Sequence, residues 1–178
     1  MRISTKQAEA LGATASRREE TYASPFGAGR LVTAGDLPLE VGLPGDPLGV
    51  AASRRSPSRW ALLLERYFAG EPVSFDLDVA TFAGVAGLTV FERDVYAALG
   101  RVPYGTVVSY RDLATAAGRP HAYRAVGSAM ARNLLPVILP CHRVIRNDGW
   151  LGAYGDDPAW KERLLTLEGV RVKGGRLI

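Results

Sequence analysis

The chain has 178 residues, enough for one medium domain or two small ones, and 47% of them are hydrophobic, as in an ordinary globular protein. Its single cysteine excludes an internal disulfide and a multi-thiolate metal site, and no run approaches the roughly 18 apolar residues of a membrane span. The net charge of +4 is uneven: residues 1–87 carry 9 basic and 10 acidic side chains, whereas residues 88–178 carry 13 and 8. Between positions 111 and 146, six arginines (111, 119, 124, 132, 143 and 146) stand against one acid, Asp112. Such a segment is the footprint of a polyanion partner or, equally, a solvated face.

Residues 1–20 read as a polar N-terminal extension without defined structure. They lack an apolar run, so neither a signal peptide nor an anchor is expected, and the reading is a soluble, cytoplasmic protein whose thiol stays reduced. Residues 21–87 read as a small α+β domain: a strand pair over 22–34, then Gly-, Pro- and Ser-rich loops around short strands over 36–56. A helix follows, opened by Ser56-Pro57-Ser58, with Trp60, Leu63, Leu64, Tyr67 and Phe68 at helical spacing and Gly70 past its end. Alternation of Phe75, Leu77 and Val79 with Asp76 and Asp78 predicts a half-buried strand, and 80–87 a linker.

The third segment, 88–178, reads as a mostly helical C-terminal domain. Thr89 and Glu92 form a capping box ahead of a helix that ends at Gly100; Ser109 and Asp112 form a second, ahead of a helix that stops at Gly118. Pro120 suits the first turn of a third helix running to about Arg132, so the pair suggests a helix-turn-helix. Val137-Ile138-Leu139 reads as a short buried strand delivering Cys141, and Asp157-Pro158 opens the last helix.

Cys141 lies beside His142, one of only two histidines. A lone cysteine is either an inert core residue or a nucleophile whose thiolate is favoured by a neighbouring His and positive charge. The second helix of the pair carries Ala122, Ala125, Gly127 and Ala129 with Arg124 as its one interior charge, a face poor in side chains for reading bases in the major groove. A DNA-docking element joined to a nucleophile implies chemistry on a base flipped from the duplex.

Tyr104-Gly105, Ser109-Tyr110, Arg124-Ala125-Val126-Gly127, Asn133, Pro140-Cys141-His142-Arg143-Val144, Gly149, Gly152, Tyr154, Lys161, Leu164-Leu165 and Glu168-Gly169 together resemble the O6-alkylguanine-DNA alkyltransferases, the methylated-DNA–protein cysteine methyltransferases. The match runs in register from Phe91 to Gly169; residues 1–87 follow the family only loosely. The resemblance implies a small sheet-plus-helix domain before a winged-helix-like domain holding the active cysteine. It implies irreversible, single-turnover transfer of the alkyl group from O6-alkylguanine, and from O4-alkylthymine, to Cys141. It also implies a monomer that binds double-stranded DNA through the minor groove, without a cofactor. Some members hold zinc in the N-terminal half; this chain has no Cys or His there, so no metal is expected.

By the same resemblance, His142 takes the thiol proton through a water, Glu168 orients His142, and Asn133 ties the recognition helix to the active-site turn. Tyr110 hydrogen-bonds or protonates the leaving purine and also contacts DNA. Arg124 fills the space of the flipped nucleotide, with Ala122, Ala125 and Ala129 against the DNA. Met130, Val144, Tyr154 and Gly155 form the base pocket, Gly155 through its backbone N–H. The chain departs from the family pattern at Leu134, usually Pro, at Gly155, commonly Ser, and at Asp156-Asp157, usually Gly-Gly. The alternatives are a non-catalytic alkyltransferase-like damage-binding protein, which would lack the reactive cysteine, a transcription factor, and a cysteine hydrolase.

Overall fold

The computed structural model describes residues 16–45, 56–155 and 157–178. The chain divides into two compact units, Met1–Leu88 with Leu134–Pro136, and Thr89–Asn133 with Val137–Ile178.

In the first unit, β1 (Arg17–Tyr22), β2 (Gly29–Ala34) and β3 (Leu37–Gly42) form an antiparallel sheet in that order. Tyr22 pairs with Gly29, and the glycine is obligatory, because a Cβ there would stand 2.1 Å from the Tyr22 ring. Helix α1 (Arg59–Phe68) begins where the Ser58 hydroxyl accepts the Ala61 N–H at 3.2 Å. It buries Trp60, Leu64, Tyr67 and Phe68, and Phe68 stacks on Tyr22 with centroids 5.6 Å apart. The Val41 N–H of β3 donates to the Leu134 carbonyl at 2.9 Å, so the segment after Asn133 extends this unit's hydrogen bonding before the chain returns to the other.

Strand β1 takes in Arg17 to Glu20, so the last part of the expected extension is paired; residues 1–15 lie outside the described residues, as do 46–55 of the loop region. The expected strand over 75–79 and linker over 80–87 are instead an irregular approach to helix α2 (Val79–Ala86). Asp78 accepts the Thr81 N–H at 3.0 Å, Phe82 and Val85 supply the buried face, and Gly87 at φ 64° ends the helix.

The second unit opens with α3 (Val90–Leu99), where the Thr89–Glu92 capping box is present in both directions and Gly100 is the C-cap. Strand β4 (Val108–Ser109) leads into α4 (Tyr110–Ala116), capped by Ser109 and Asp112, and a turn leads to α5 (Tyr123–Ala131). The Tyr96 hydroxyl of α3 donates to the Ala129 carbonyl at 2.8 Å, fixing α5. After a 3-10 turn at Cys141–Arg143, β5 (Val144–Ile145) pairs in parallel with β4. Then come α6 (Ala159–Leu167) and the hairpin of β6 (Val172–Lys173) and β7 (Arg176–Leu177).

Pro120 precedes α5 rather than entering it: the helix starts at Tyr123, with Ala122 as an N-cap that makes no side-chain bond. Val137, Ile138 and Leu139 are buried but form turns, not a strand, and Val137 adopts φ 74°. The strand of this region is β5, after the cysteine. The fold class is α+β: a sheet-plus-helix unit, then a mostly helical unit with paired helices α4 and α5 and the cysteine. No helix among the described residues is long and apolar enough to cross a membrane.

Candidate functional site

The second unit converges on Cys141. Its thiol is buried, and the Asn133 side-chain amide, just past α5, donates to Sγ at 3.1 Å and to the Leu139 carbonyl at 2.8 Å. One side chain thus ties the end of α5 to the turn carrying the sulfur. The Tyr154 hydroxyl lies 3.8 Å from Sγ. Burial pushes the thiol pKa up; the contacts from Asn133 and Tyr154 and the charge of Lys161 pull against this without cancelling it. At rest the sulfur is a protonated thiol.

His142 is fully buried, with Nε2 2.7 Å from Glu168 Oε1. Desolvation pushes its pKa down and the bond to Glu168 opposes, so the resting imidazole is neutral. The carboxylate is itself held from three sides. Arg143 Nε donates to Oε2 at 2.9 Å and its Nη2 to Oε1 at 2.8 Å, while the Gly105 N–H donates to Oε2 at 3.0 Å. Burial pushes the Glu168 carboxyl up, but the bonds from His142 and Arg143 outweigh it and hold its pKa at about 2. Gly105 has φ +71°, and a Cβ there would sit 3.0 Å from the Glu168 carbonyl, so no larger residue fits. Arg143 also donates to the Val102 carbonyl at 2.6 Å and lies over the Tyr104 ring at 5.7 Å.

Tyr110, the first residue of α4, is half-buried with its ring toward Gly127 of α5 and its hydroxyl toward Gly152. Burial raises its pKa, and the Cys141 charge raises it further. Beside it opens a cleft of about 250 Å³ lined by Tyr110, Arg111, Tyr123, Arg146, Asn147 and Asp148.

The structure thus gathers Cys141, His142, Tyr154 and Glu168 into one buried cluster, with half-buried Asn133 at its edge and Tyr110 near the thiol. Arg124 and Ala125 are exposed on α5 and Ala122 is half-buried. Ala129, expected on the DNA face, is instead fully buried against α3, because the 3.6-residue period turns it inward with Val126 and Met130. Of the expected pocket residues, Val144 is fully buried in β5, Met130 and Tyr154 keep a small exposed surface, and Gly155 is exposed. Asp156 lies outside the described residues; Asp157 accepts the Ala159 N–H at 2.9 Å at the start of α6.

The sequence alone assigns no role to Gly105, Arg143 or Lys161. Arg143 was hidden in the Pro-Cys-His-Arg-Val run. Lys161 shares the buried face of α6 with Trp160, Leu164 and Leu165, and a lysine on an apolar stripe was the signal that could have found it. Among the described residues, no group of three or more His, Cys, Asp or Glu could hold a metal ion.

Residues 90–170 match the family model described as 6-O-methylguanine DNA methyltransferase, DNA binding domain. A methylated-DNA–protein-cysteine methyltransferase of Methanopyrus kandleri is 45% identical over 131 residues, 74% of this chain and 95% of the relative. One from Methanosarcina barkeri is 46% identical over 105 residues, 59% of this chain but 63% of the relative, so that match leaves more than a third of the relative's length unspanned. The crystal structure of Mycobacterium tuberculosis OGT in complex with DNA superposes with a TM-score of 0.67 at 33% identity, covering 85% of this chain and 92% of that one. The chain belongs to the methylated-DNA–protein-cysteine methyltransferase family.

Proposed function

We propose that this protein repairs alkylated DNA by direct reversal, transferring the alkyl group from guanine O6, or thymine O4, to Cys141 in one irreversible event. The observation that carries the reading is the lone thiol, held by Asn133 at 3.1 Å and adjacent to the buried His142–Glu168 pair, in a chain of this family. His142 takes the thiol proton through a bridging water, and Glu168, fixed as a carboxylate by Arg143 and Gly105, stabilises the imidazolium that forms. The sulfur electron pair makes the new S–C bond as the O6–C bond breaks, and the purine leaves with the electron pair of that O6–C bond. Tyr110 gives the leaving ring its proton.

The partner is double-stranded DNA entered from the minor groove, with the damaged base flipped out and Arg124 occupying its place. The exposed position of Arg124 on α5 supports this role, as does the cleft with Arg111 and Arg146 beside Tyr110. DNA binding and transfer both belong to the domain 88–178, the protein acts as a monomer, and a reducing cytoplasmic setting suits its single free thiol. The test is mass spectrometry after mixing with a duplex containing O6-methylguanine. One methyl group on the peptide carrying Cys141 is expected, with none on a Cys141→Ser variant that still binds the duplex. Transfer by that variant overturns the assignment.

A further inference from the structure

Lys161 is a buried charge that the proposed chemistry does not use. It sits on α6 with 1% of its surface exposed, and its Nζ donates to the Val144 carbonyl at 2.6 Å. No carboxylate lies within ion-pair distance of it among the described residues, whereas the neighbouring buried cation Arg143 is matched by Glu168. Burying an ammonium without an anion is costly, and such a site normally holds a neutral amine or is filled by an apolar side chain. What lies around Lys161 is instead the reacting machinery. Its ammonium stands 5.8 Å from the centroid of the Tyr110 ring, and the Cys141 sulfur lies within its field.

We propose that Lys161 is the resident counter-ion of alkyl transfer: its ammonium offsets the negative charge of the Cys141 thiolate before the bond forms and that of the Tyr110–purine pair after it breaks. The inference rests on the alkyl-transfer reading above. Lys161 touches no reacting atom and moves no proton, so it is a positioning residue. It keeps one positive charge where the anion first appears on sulfur and then moves to the purine side. Burial lowers its pKa and the Cys141 charge opposes this, leaving it at about 8, so lysine and thiolate stabilise each other's charged forms. Burial is the main reason that the His142 pKa lies low; the Arg143 and Lys161 charges add to it, so the imidazole rests neutral with a site open for the thiol proton. Of the groups facing Lys161, Tyr110 comes from α4, and Cys141, His142 and the Val144 carbonyl come from the turn and β5.

The test compares Lys161→Gln, which keeps a donor for the Val144 carbonyl without the charge, Lys161→Met, which removes both, and Lys161→Arg, which keeps the charge. Two rates are followed across pH: iodoacetamide alkylation of Cys141, and single-turnover transfer from methylated duplex. In the Gln and Met variants the rise of the iodoacetamide profile should move up by about one pH unit, making the thiol about tenfold less reactive at pH 7. Transfer should slow by at least about tenfold with duplex affinity unchanged, and the Arg variant should recover most of the rate. A Gln variant equal to the parent beside a slow Met variant would assign Lys161 to the Val144 hydrogen bond and overturn the proposal, as would unmoved thiol profiles. If the parent accepts no alkyl group from DNA, the repair reading fails, while the iodoacetamide profiles still test Lys161.

Should the neutral variants not fold, the parent protein gives the answer, since it has only three lysines. With 13C at the lysine Cε, the buried residue's titration should move to lower pH once Cys141 is blocked by iodoacetamide. A titration that does not move overturns the proposal.

Discussion

At the scale of single residues, the site is a ledger of buried charge. Glu168 carries one negative charge shared between Arg143, always cationic, and His142, cationic only in passing. This division explains how a fully buried imidazole can be present without a permanent buried charge. Arg143 satisfies the carboxylate at rest, and Glu168 is already ionised when His142 receives a proton. Arg143→Met should therefore destabilise the fold by about 3–5 kcal/mol at pH 7, the cost of stranding one partner of a buried pair. The pH dependence has a definite sign. The folded pKa of Glu168, about 2, lies below its ordinary value of 4.5, so its contribution is complete above about pH 4.5 and is lost as pH falls toward 2. Urea unfolding of parent and variant should accordingly differ most at neutral pH and converge on acidification; a constant gap would show that Arg143 acts through packing. Cys141, His142 and Glu168 were legible as residues because their spacing carries the family resemblance. The partners of Glu168 were not, because Gly105 and Arg143 act through the third dimension, 63 and 25 residues away in sequence.

At the scale of elements, the capping residues carried the sequence reading where it succeeded and mark where it failed. The two boxes at Thr89 and Ser109 located α3 and α4, because a cap satisfies specific backbone N–H groups at a fixed offset. Helix α2 was missed although Asp78 and Gly87 bracket it at the right offsets; alternation over five residues from Phe75 to Val79 looked like a strand, and the small residues after it looked like a linker. Short windows carry too few periods to decide between 2.0 and 3.6. The buried run 137–139 failed for a related reason: an apolar run reports burial, not conformation. Val137 at φ 74° is a β-branched residue in the left-handed region, which no propensity scale would predict. Element ends also place function. Tyr110 is the first helical residue of α4, directly after the Ser109 cap, so its position depends on that cap's bonds to Asp112 at 3.1 and 2.7 Å. Ser109→Ala should cost about 1 kcal/mol of stability and slow transfer more than the loss of folded protein explains. Thermal unfolding and single-turnover rates on the same samples separate the two effects; an unchanged rate would mean that packing against Gly127 and Gly152 alone holds the ring.

At the scale of the whole molecule, the basic half is less free than its composition suggests. Of the six arginines between 111 and 146, Arg119, Arg132, Arg143 and Arg146 are paired with Asp94, Glu92, Glu168 and Asp148. Arg111 and Arg124 form no ion pair among the described residues, so within this segment the unpaired charge lies on α4 and α5. Arg124→Ala should weaken duplex binding and slow repair in DNA, while reaction with O6-benzylguanine as a free base is little affected. Equal loss on both substrates would indicate a damaged fold instead. The sequence also bears on turnover, through what the chain lacks. Alkylated Cys141 is a thioether, whose carbon–sulfur bond offers water no carbonyl to attack, unlike a thioester. The chain has no second cysteine to accept the group. With methylated duplex in large excess, transfer should therefore stop at one methyl group per molecule, and a sustained excess over one would overturn the reading of an irreversible acceptor. The spent protein should also be weaker. Sγ is buried and touched by the Asn133 amide and the Tyr154 hydroxyl, so an added methyl displaces a hydrogen-bond donor and overfills a closed site. Overpacking of this kind costs about 1–3 kcal/mol, and the methylated form should unfold at correspondingly lower urea. A methylated protein as stable as the parent would mean that the turn between Asn133 and Cys141 yields to the new group rather than resisting it.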